Sequence, residues 1–487
     1  MSGLRRVEEL DAHELEGRVR ALLGEDFRLG AVVGHDEGDR LRLVYVLLAP
    51  SADLRVELVV RVGASEPRVP SLAGLSFAAG RFERELADQF GVVPIGHPAP
   101  RALVRHGHWP VAWHPMRRDA GARPQLGEDV ASFPFSPVSG PGVYEIPVGP
   151  VHAGLIEPGH FRFSVVGERI LKMTPRLWFV HRGLERLAQG QRVEDVLALA
   201  ERVSGDSAVA HSLGFVLAVE EAQGITVSGA QRAARARLLE LERLTNHVAD
   251  LGALCNDVGF SVAHARALVV RERLMRVAEE LTGHRLLRGA IRPCVTTSPV
   301  RVETRTLREV RERLDEIVEL ALGQSIVRER FSGTAVLSGA DARRVGALGV
   351  VARASGLAID ARAAHPFDVP RTLITQESGD VLARFQQRVA EAHVALDVLE
   401  GRDAELAVAP EDTGPSRDGA GLGLVEGWRG TVLHRVELED AHVRRWRVVD
   451  PSFFNWPALA LCLSDTIVPD FPLVNKSFNL SYAGNDL

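Results

Sequence analysis

A stretch without hydrophobic periodicity divides this sequence into two unequal parts. Residues 117–142, RRDAGARPQLGEDVASFPFSPVSGPG, are rich in glycine, proline and serine. Such a composition favours an extended connector over a helix or a strand. A chain of 487 residues is also too long for one ordinary hydrophobic core. The sequence therefore predicts a first domain at 1–119, a linker at 120–142 and a second domain at 143–487.

The smaller part carries alternating apolar and polar residues. Residues 41–49, LRLVYVLLA, and 54–62, LRVELVVRV, have the two-residue period of paired strands. Before them, the pattern from about Val7 to Leu23 predicts an amphipathic helix. Together these elements predict a small α+β domain.

Helical periodicity dominates the larger part. It follows short strands and a hairpin that turns near Val166 and Gly167. Apolar residues then recur at spacings of three and four, which predicts helices at about 178–189, 206–223, 231–256, 262–282, 303–323 and 378–400. A second glycine-rich stretch, residues 418–430, is interpreted as a flexible loop before another hairpin. The predicted fold class is α+β, with a small N-terminal α+β domain joined to a large, mainly α-helical domain that carries small β elements.

Composition argues against nucleic acid and membrane-spanning classes. The formal charge of −6 gives no reason to expect binding to nucleic acid. The longest apolar runs, such as residues 458–463, are far shorter than the roughly 20 residues of a transmembrane helix, and the charged start does not resemble a signal peptide. Cys255, Cys294 and Cys462 have no paired spacing and suit reduced, mostly buried thiols. We therefore expect a cytoplasmic protein.

Several stretches resemble components of respiratory enzymes. Residues 77–98 and HPMRRD at 114–119 resemble the C subunit of NADH-quinone oxidoreductase, complex I. IPVGPVHAGLIEPGHFRF, VHRGLERLA, AERVSGDSAVAHSLGFVLAVE, LLELERLTNHVADLGALCNDVGF, VARASG and VNKSFNLSYAGNDL resemble the D subunit of that complex. They are more similar still to the large subunit of membrane-bound nickel-iron hydrogenases of the formate hydrogenlyase type. The fusion of a C-type part before a D-type part is itself specific.

The resemblance implies a metal site whose ligands are replaced here. Family hydrogenases hold nickel and iron with a Cys-Gly-x-Cys pair and an Asp-Pro-Cys-x-x-Cys pair, and the four positions correspond to Ser204, Ser207, Ser452 and Asn455. Nickel prefers soft thiolates, whereas a hydroxyl stays protonated near neutral pH and an amide is a weak donor. We therefore predict a degenerate pocket with no metal and no hydrogen turnover. The chain continues to Leu487, and we expect no metal-triggered cleavage of this tail.

Three residues of the larger part are candidates for proton transfer. His152 and His160 match the histidines of a loop in the D-type family, and imidazole titrates near neutral pH. Hydrogen bonding within a turn explains them equally well. Glu185 matches a carboxylate beside the metal cavity of the family, where burial would raise its pKa. Its alternative is an ion pair with Arg182 or Arg186 on the same helix.

Three further candidates flank the replaced cysteines. Asp206 would add an acid to the old metal cavity, although an N-cap of the following helix is the favoured interpretation. His211 is expected to pack at the cavity wall. Arg429 falls where relatives have Pro-Arg-Gly, with Trp428 in place of the proline. Ser204, Asp206, Ser207, Ser452, Asn455 and Glu185 are expected to line one polar pocket that holds water and passes protons.

Two other motifs have simpler interpretations. GAGLG at 419–423 lacks the strand and helix that a dinucleotide site needs, so NADH would be oxidised by another subunit. The basic run at 231–244 contains Glu240 and Glu242 and is interpreted as a solvated helix face.

The functional prediction follows the resemblance. We expect a subunit of a membrane-associated respiratory-type oxidoreductase complex, active in electron or proton transfer, with no cofactor bound by this chain and with quinone as a candidate ligand. An iron-sulfur cluster is expected in a partner small subunit, and membrane contact only through integral membrane partners at the inner face of the cell membrane. The alternatives are a non-catalytic structural or coupling subunit and, less favoured, an active nickel-iron hydrogenase.

Overall fold

The computed structural model describes residues 4–50, 53–128, 133–153, 156–297, 299–364, 373–401, 418–464 and 466–487.

A four-stranded sheet organises the N-terminal part. Its strands are β1 (Leu4–Leu10), β2 (Arg28–Asp36), β3 (Arg40–Leu48) and β4 (Leu54–Gly63), in the order β1-β4-β3-β2. β3 pairs antiparallel with β4 and β2, as the alternating runs predict, whereas β1 pairs parallel with β4. Helices α1 (Leu15–Gly24) and α2 (Phe77–Phe90) and the two-stranded pair β5 (Arg68–Pro70) and β6 (Val93–Ile95) complete this part.

The predicted helix from Val7 to Leu23 is wrong in its first half. Residues 4–10 form the edge strand β1, and the helix begins only at Leu15. The open edge of β4 offers main-chain hydrogen bonds to β1, and Arg5 donates to both carboxylate oxygens of Glu57 on β4 at 3.0 and 2.9 Å. Sheet pairing therefore overrides the helical pattern of this short segment.

The predicted connector lacks regular secondary structure in the part that the structure describes, and the domain bounds stay a prediction. Residues 117–128 and 133–142 contain neither helix nor strand. Buried contacts join the sequence on its two sides: Arg42 donates to both carboxylate oxygens of Glu437 at 3.0 and 2.8 Å, and Arg81 donates to the backbone oxygen of Phe453.

A three-stranded antiparallel sheet follows the connector. It consists of β7 (Val143–Val148), β8 (His160–Val166) and β9 (Arg169–Arg176), and the turn between the last two has Gly167 at φ +58°, which confirms the predicted hairpin. The helix predicted at 178–189 is wrong except for the single turn α3 (Leu184–Leu187). Trp178 and Gly183 both have φ of +67°, which no α-helix allows, and the amides of Arg182 and Gly183 donate to the carbonyl of Leu487.

Five long helices confirm the helices predicted from the remaining periodic segments, and shorter helices precede, separate and follow them. The long helices are α5 (Ala208–Gln223), α6 (Gly229–Asp257), α7 (Ser261–Thr282), α8 (Thr304–Gly323) and α13 (Val381–Glu400). The others are α4 (Val193–Ala200), α9 (Ser325–Phe331), α10 (Gly339–Val345), α11 (Gly349–Arg353), α12 (Ala361–Ala364), α14 (Pro451–Cys462), α15 (Phe471–Phe478) and α16 (Tyr482–Asp486). Among the described residues, none of these helices is both long and apolar enough to cross a membrane.

The glycine-rich segment is a buried strand, so the predicted flexible loop is wrong. The second four-stranded sheet has the order β10-β15-β14-β13, formed by β10 (Gln191–Arg192), β13 (Gly419–Gly427), β14 (Gly430–Glu439) and β15 (His442–Val449). A Cβ atom on Gly423 would lie 1.9 Å from the backbone oxygen of Gly214 on α5, and one on Gly421 would lie 2.1 Å from that of Ala218. The alternate glycines therefore let α5 rest directly on the strand. A two-stranded ribbon, β11 (Ile291–Arg292) with β12 (Val295–Thr296), completes the strands.

The basic run at 231–244 is also buried, so the predicted solvated face is wrong. Arg235 is 0% exposed and makes a bidentate pair with Glu220 at 2.8 and 2.7 Å. Arg243 is likewise 0% exposed and contacts Glu240 and Glu391. Packing between α5, α6 and α13 therefore excludes water from a face whose charges neutralise one another.

Candidate functional site

The first pair of replaced cysteine positions lies in the turn between α4 and α5. Ser204 and Ser207 are 2% and 4% exposed, and both hydroxyls face the side chain of Arg429. Arg429 Nη1 lies 3.4 Å from Ser204 Oγ and 3.3 Å from Ser207 Oγ. The same guanidinium makes a bidentate pair with Asp206, at 2.5 and 2.7 Å, and its Cζ lies 3.9 Å from the centre of the Trp428 ring. Arg429 thus occupies the space between the first two positions.

The second pair lies in the first turn of α14. Asp450 caps this helix by accepting from the amide of Ser452 at 2.7 Å. Ser452 Oγ accepts from the amide of Ser481 at 2.9 Å, and Ser481 Oγ lies 2.8 Å from Ser204 Oγ. The segment that follows α15 therefore joins the two halves of the site through hydroxyl groups.

The Asn455 side chain bonds to the backbone of a residue outside the other three positions. Its side-chain oxygen accepts from the amide of Leu348 at 2.9 Å, and its side-chain nitrogen donates to the carbonyl of the same residue at 3.2 Å. Glu185 also lies apart, beside β15. The structure therefore does not bring the six predicted pocket residues together around one open space: a guanidinium and hydroxyl contacts fill the centre instead.

The residues present do not fit the nickel-iron group that the family implies. The four positions supply hydroxyl and amide groups, which are poor ligands for a soft metal ion, and the hydroxyls of Ser204 and Ser207 already lie within hydrogen-bonding distance of Arg429. The thiols are remote from this set: Cys255 and Cys462 are buried, with pKa values raised to about 12 and about 11 by burial, and Cys294 is exposed. Within the described part of the chain, no three histidine, cysteine or acidic side chains are grouped as a metal would require.

Asp206 does not cap α5, so that interpretation is wrong. The amides of Val209 and Ala210 at the start of the helix instead donate to the Glu242 carboxylate at 2.7 and 3.1 Å. Burial raises the pKa of Asp206, but the Arg429 guanidinium outweighs it and holds that pKa below its ordinary value. Burial and the Asp206 charge raise the pKa of Glu242 to about 8, although the two amides oppose the shift.

His211 belongs to a buried chain of hydrogen bonds with a fixed direction. Trp446 Nε1 donates to His434 Nδ1 at 3.0 Å, because an indole nitrogen can only donate. The His434 proton therefore sits on Nε2 and points at His211 Nδ1, 3.0 Å away. The His211 proton must then lie on Nε2, where it points at Asp450 Oδ2, also 3.0 Å away. Both imidazoles are neutral in this arrangement, and burial lowers the pKa of His434 well below its usual range.

Glu185 is an ion-pair partner, and its predicted raised pKa is wrong. Its carboxylate contacts Arg445 at 2.8 Å and Arg447 at 3.0 Å and accepts from the amide of Val448 at 3.0 Å. Burial would raise the pKa of Glu185, but the two guanidinium groups lower it below the ordinary value. The sequence alternative, a pair with Arg182 or Arg186, is also wrong because Glu185 lies in a single helical turn that faces β15.

The two loop histidines bond to their own loop. His152 Nε2 lies 2.8 Å from the carbonyl of Gly159, and His160 Nδ1 lies 3.2 Å from that of Gly149. His160 Nε2 is buried without a hydrogen-bond partner in the described part of the chain, and the ring lies against Phe135. These contacts favour the turn interpretation over an exposed relay.

A cavity of about 600 Å³ lies beside the filled site. Its lining includes Trp109, Trp113, Met116 and Leu487, together with four acidic side chains and four arginines. The acids are Glu85, Glu185, Asp450 and Asp486, and the arginines are Arg123, Arg182, Arg186 and Arg447. His211 is not in the wall and reaches the cavity only through Asp450. We call this space the acidic cavity.

Asp486 and His181 are site residues that the sequence interpretation missed. His181 lines the acidic cavity, and its Nδ1 lies 2.6 Å from the carbonyl of Asp486. Burial raises the pKa of Asp486 to about 6, although the bonds to Asn485 and to Val180 oppose the shift. The signal that the sequence offered for Asp486 is its residue type, because it is an acidic residue within the family-like ending VNKSFNLSYAGNDL.

Comparison with known proteins agrees with both parts of the fold. The family described as respiratory-chain NADH dehydrogenase, 30 kDa subunit, matches residues 10–125, and the 49 kDa subunit family matches residues 257–405. Hydrogenase-4 component G of Escherichia coli is 33% identical over 97% of this chain and 84% of its own length. Formate hydrogenlyase subunit 5 of Escherichia coli is 34% identical over 91% of this chain and 81% of its own length.

A complex I relative has the same order of parts. The C/D subunit of NADH-quinone oxidoreductase from Phocaeicola vulgatus is 29% identical over 80% of this chain and 80% of its own length. In this chain too, a part that matches the 30 kDa subunit family precedes a part that matches the 49 kDa subunit family. Two relatives are more than 30% identical along about four fifths of their own length. The chain belongs to the family of fused C/D proteins that includes complex I subunits and the large subunits of membrane-bound hydrogenases.

Proposed function

We propose that this chain is a subunit of a membrane-associated respiratory-type oxidoreductase complex that handles protons and carries no nickel-iron centre. The observation that carries the proposal is the set of hydroxyl and amide groups at the four thiolate positions, each of which is hydrogen-bonded within the protein. These residues are Ser204, Ser207, Ser452 and Asn455. Its partners would be an iron-sulfur small subunit and integral membrane subunits, which would hold the chain at the inner face of the cell membrane.

The acidic cavity supports the proton role. Asp486 has a pKa of about 6, so its carboxyl group can take up and release a proton near neutral pH. Asp450 lines the same cavity, and its pKa is lowered because burial, which raises it, is outweighed by His211, Arg429 and Ser452. A proton on Asp486 would therefore share the cavity with an ionised carboxylate.

Quinone binding receives less support from these residues. Gly205 stands where the family has a tyrosine that donates to the quinone head group, as the resemblance implies. His152 and His160 already bond to the loop carbonyls. This observation favours, as the second candidate function, a structural or coupling subunit whose loop histidines only maintain the fold.

Three measurements on the purified intact complex test these alternatives. Elemental analysis should find no nickel bound in proportion to this chain, and hydrogen evolution should be absent. Asp486→Asn should shift or flatten the pH dependence of the oxidoreductase activity near pH 6 while the complex stays assembled, whereas the matched loop variant His160→Gln should not. Stoichiometric nickel would refute the metal-free assignment. An unchanged pH profile in Asp486→Asn would favour the structural role.

A further inference from the structure

A second cavity, of about 270 Å³, is lined by arginines and contains no acidic side chain among its described residues. It lies where α2 and the residues after it meet β9, α10 and α14. Five arginines line it: Arg81, Arg84, Arg101, Arg176 and Arg344. We call it the arginine cavity. Arg344 is 65% exposed and pairs with Asp341 at 2.7 Å. The charges that need an explanation are those of Arg81, Arg84 and Arg101, because buried charges are normally paired.

Two arginines on α2 bond to neutral oxygens instead of carboxylates. Arg81 donates to the carbonyl of Phe453 and the side-chain amide oxygen of Asn485. Arg84 donates to the carbonyls of Arg101 and Ala102 at 2.8 and 2.9 Å. Among the described residues, neither guanidinium forms an ion pair with a carboxylate.

Arg101 has a buried donor that is not used. Its Nη1 donates to the carbonyl of Pro134 at 3.1 Å, but its Nε is buried and meets no acceptor in the described part of the chain. An unsatisfied buried donor costs free energy that an anionic acceptor would recover.

The charges also repel one another. Burial, reinforced by Arg84, lowers the pKa of Arg81 to about 9. Burial, reinforced by Arg101, lowers the pKa of Arg84 to about 10. An anion placed among them would reverse both shifts, because an opposite charge favours the protonated guanidinium.

The walls between the guanidinium groups are apolar. The Phe133 ring lies 5.2 Å from Arg101 Cζ and 4.9 Å from Arg176 Cζ. Phe77 and Leu461, which are 48% and 38% exposed, leave apolar surface where the cavity opens. A ligand of this cavity would therefore combine an anionic group with an apolar body.

We propose that the arginine cavity binds a phosphate group carried on an apolar body, either an anionic lipid or a soluble phosphate ester. Phosphate suits several guanidinium groups at once because its oxygens accept from more than one fork. The proposal does not depend on the metal-free assignment, since the cavity shares none of the residues that surround Arg429.

Binding to the full-length chain tests the proposal. Octyl phosphate presents both the anion and the apolar body. Inorganic phosphate presents the anion alone, and octyl glucoside presents an apolar body without the anion. Isothermal titration at constant ionic strength should show octyl phosphate binding at least about tenfold more tightly than either of the others. Arg101→Gln should weaken octyl phosphate by about tenfold, while Arg305→Gln, on the exposed face of α8, should leave it unchanged.

Two further arms identify the source and guard against misfolding. Sedimentation with phosphatidylglycerol vesicles that depends on Arg101 indicates a lipid, whereas binding of octyl phosphate without vesicle binding indicates a soluble ester. If Arg101→Gln does not fold, Arg84→Gln takes its place as the test variant. Octyl phosphate should in addition raise the melting temperature of the wild-type chain. Octyl phosphate that binds no better than octyl glucoside, or equally well to the arginine variants, would overturn the proposal.

Discussion

The position of Arg429 gives a stability prediction with a definite pH dependence. Replacing it by methionine keeps much of the volume but removes the bidentate pair with Asp206 and the contacts to Ser204 and Ser207. Loss of one partner of a buried ion pair typically costs about 3–5 kcal/mol. The Arg429 side chain is 6% exposed but that of Asp206 is 42% exposed, so water screens the carboxylate. We therefore expect Arg429→Met to lose about 2 kcal/mol at pH 7.

The loss should be smaller at pH 3 than at pH 7. In the wild-type chain the pKa of Asp206 is lowered, so the pair stabilises the fold above the unfolded-state pKa of about 3.9 and is lost as the pH falls through the folded-state pKa. The Arg429→Met variant lacks this pair at every pH, so its gap from the wild type narrows as the Asp206 carboxylate is protonated.

Urea unfolding followed by circular dichroism at the two pH values measures this difference. The double variant Asp206→Asn with Arg429→Met removes both charges and should recover at least half of the loss at pH 7. Arg192→Met is the matched control, because Arg192 is 68% exposed and pairs only with an exposed glutamate, so its stability should not change. A variant Arg429→Met as stable as the wild type, or one with the same loss at both pH values, would refute the assigned pairing.

Three further predictions concern packing and titration. Gly423→Ala should lower the melting temperature by an amount that corresponds to about 1–3 kcal/mol or more, because its Cβ would meet the α5 backbone, whereas Gly17→Ala, with open space around it, should not. Wild-type stability should fall as the pH rises from about 4 to about 6, because the pKa values of Asp486 and Glu242 are raised in the fold, and Asp486→Asn should make that slope shallower while the contribution of Glu242 remains. The lowered pKa keeps Glu185 ionised at pH 6, so Glu185→Gln should leave the protonated-carboxyl bands of the infrared spectrum unchanged. Loss of such a band in Glu185→Gln would contradict the pairing of Glu185 with Arg445 and Arg447.

Long-range contacts explain why some local patterns predict the wrong element. Residues 4–10 have a helical pattern, but β4 presents an unpaired edge that only the folded sheet creates. Residues 418–430 look like a loop because glycine is common in loops, yet here each alternate glycine admits the α5 backbone. Local propensity is a weak prior of fractions of a kcal/mol per residue, so a shared sheet edge or a close helix contact overrides it.

The charges of the site were the least predictable part. The sequence identifies Ser204, Ser207, Ser452 and Asn455 by their place in family-like motifs, but it does not reveal that Arg429 lies among the first two or that Asn455 bonds to Leu348. It also places Glu185 beside a metal cavity without showing its two guanidinium partners from β15. A pKa depends on these partners and on burial, both of which come from residues distant in sequence.

The sequence by itself determined the α+β class, the long helices, the hairpins and the absence of paired thiols, because hydrophobic period, turn residues and residue type are local properties. Tertiary structure alone decided which side chains contact the four replaced cysteine positions, where the acidic cavity and the arginine cavity lie, and which carboxyl groups have raised pKa values. Those properties arise when segments hundreds of residues apart are brought within hydrogen-bonding distance and water is excluded between them.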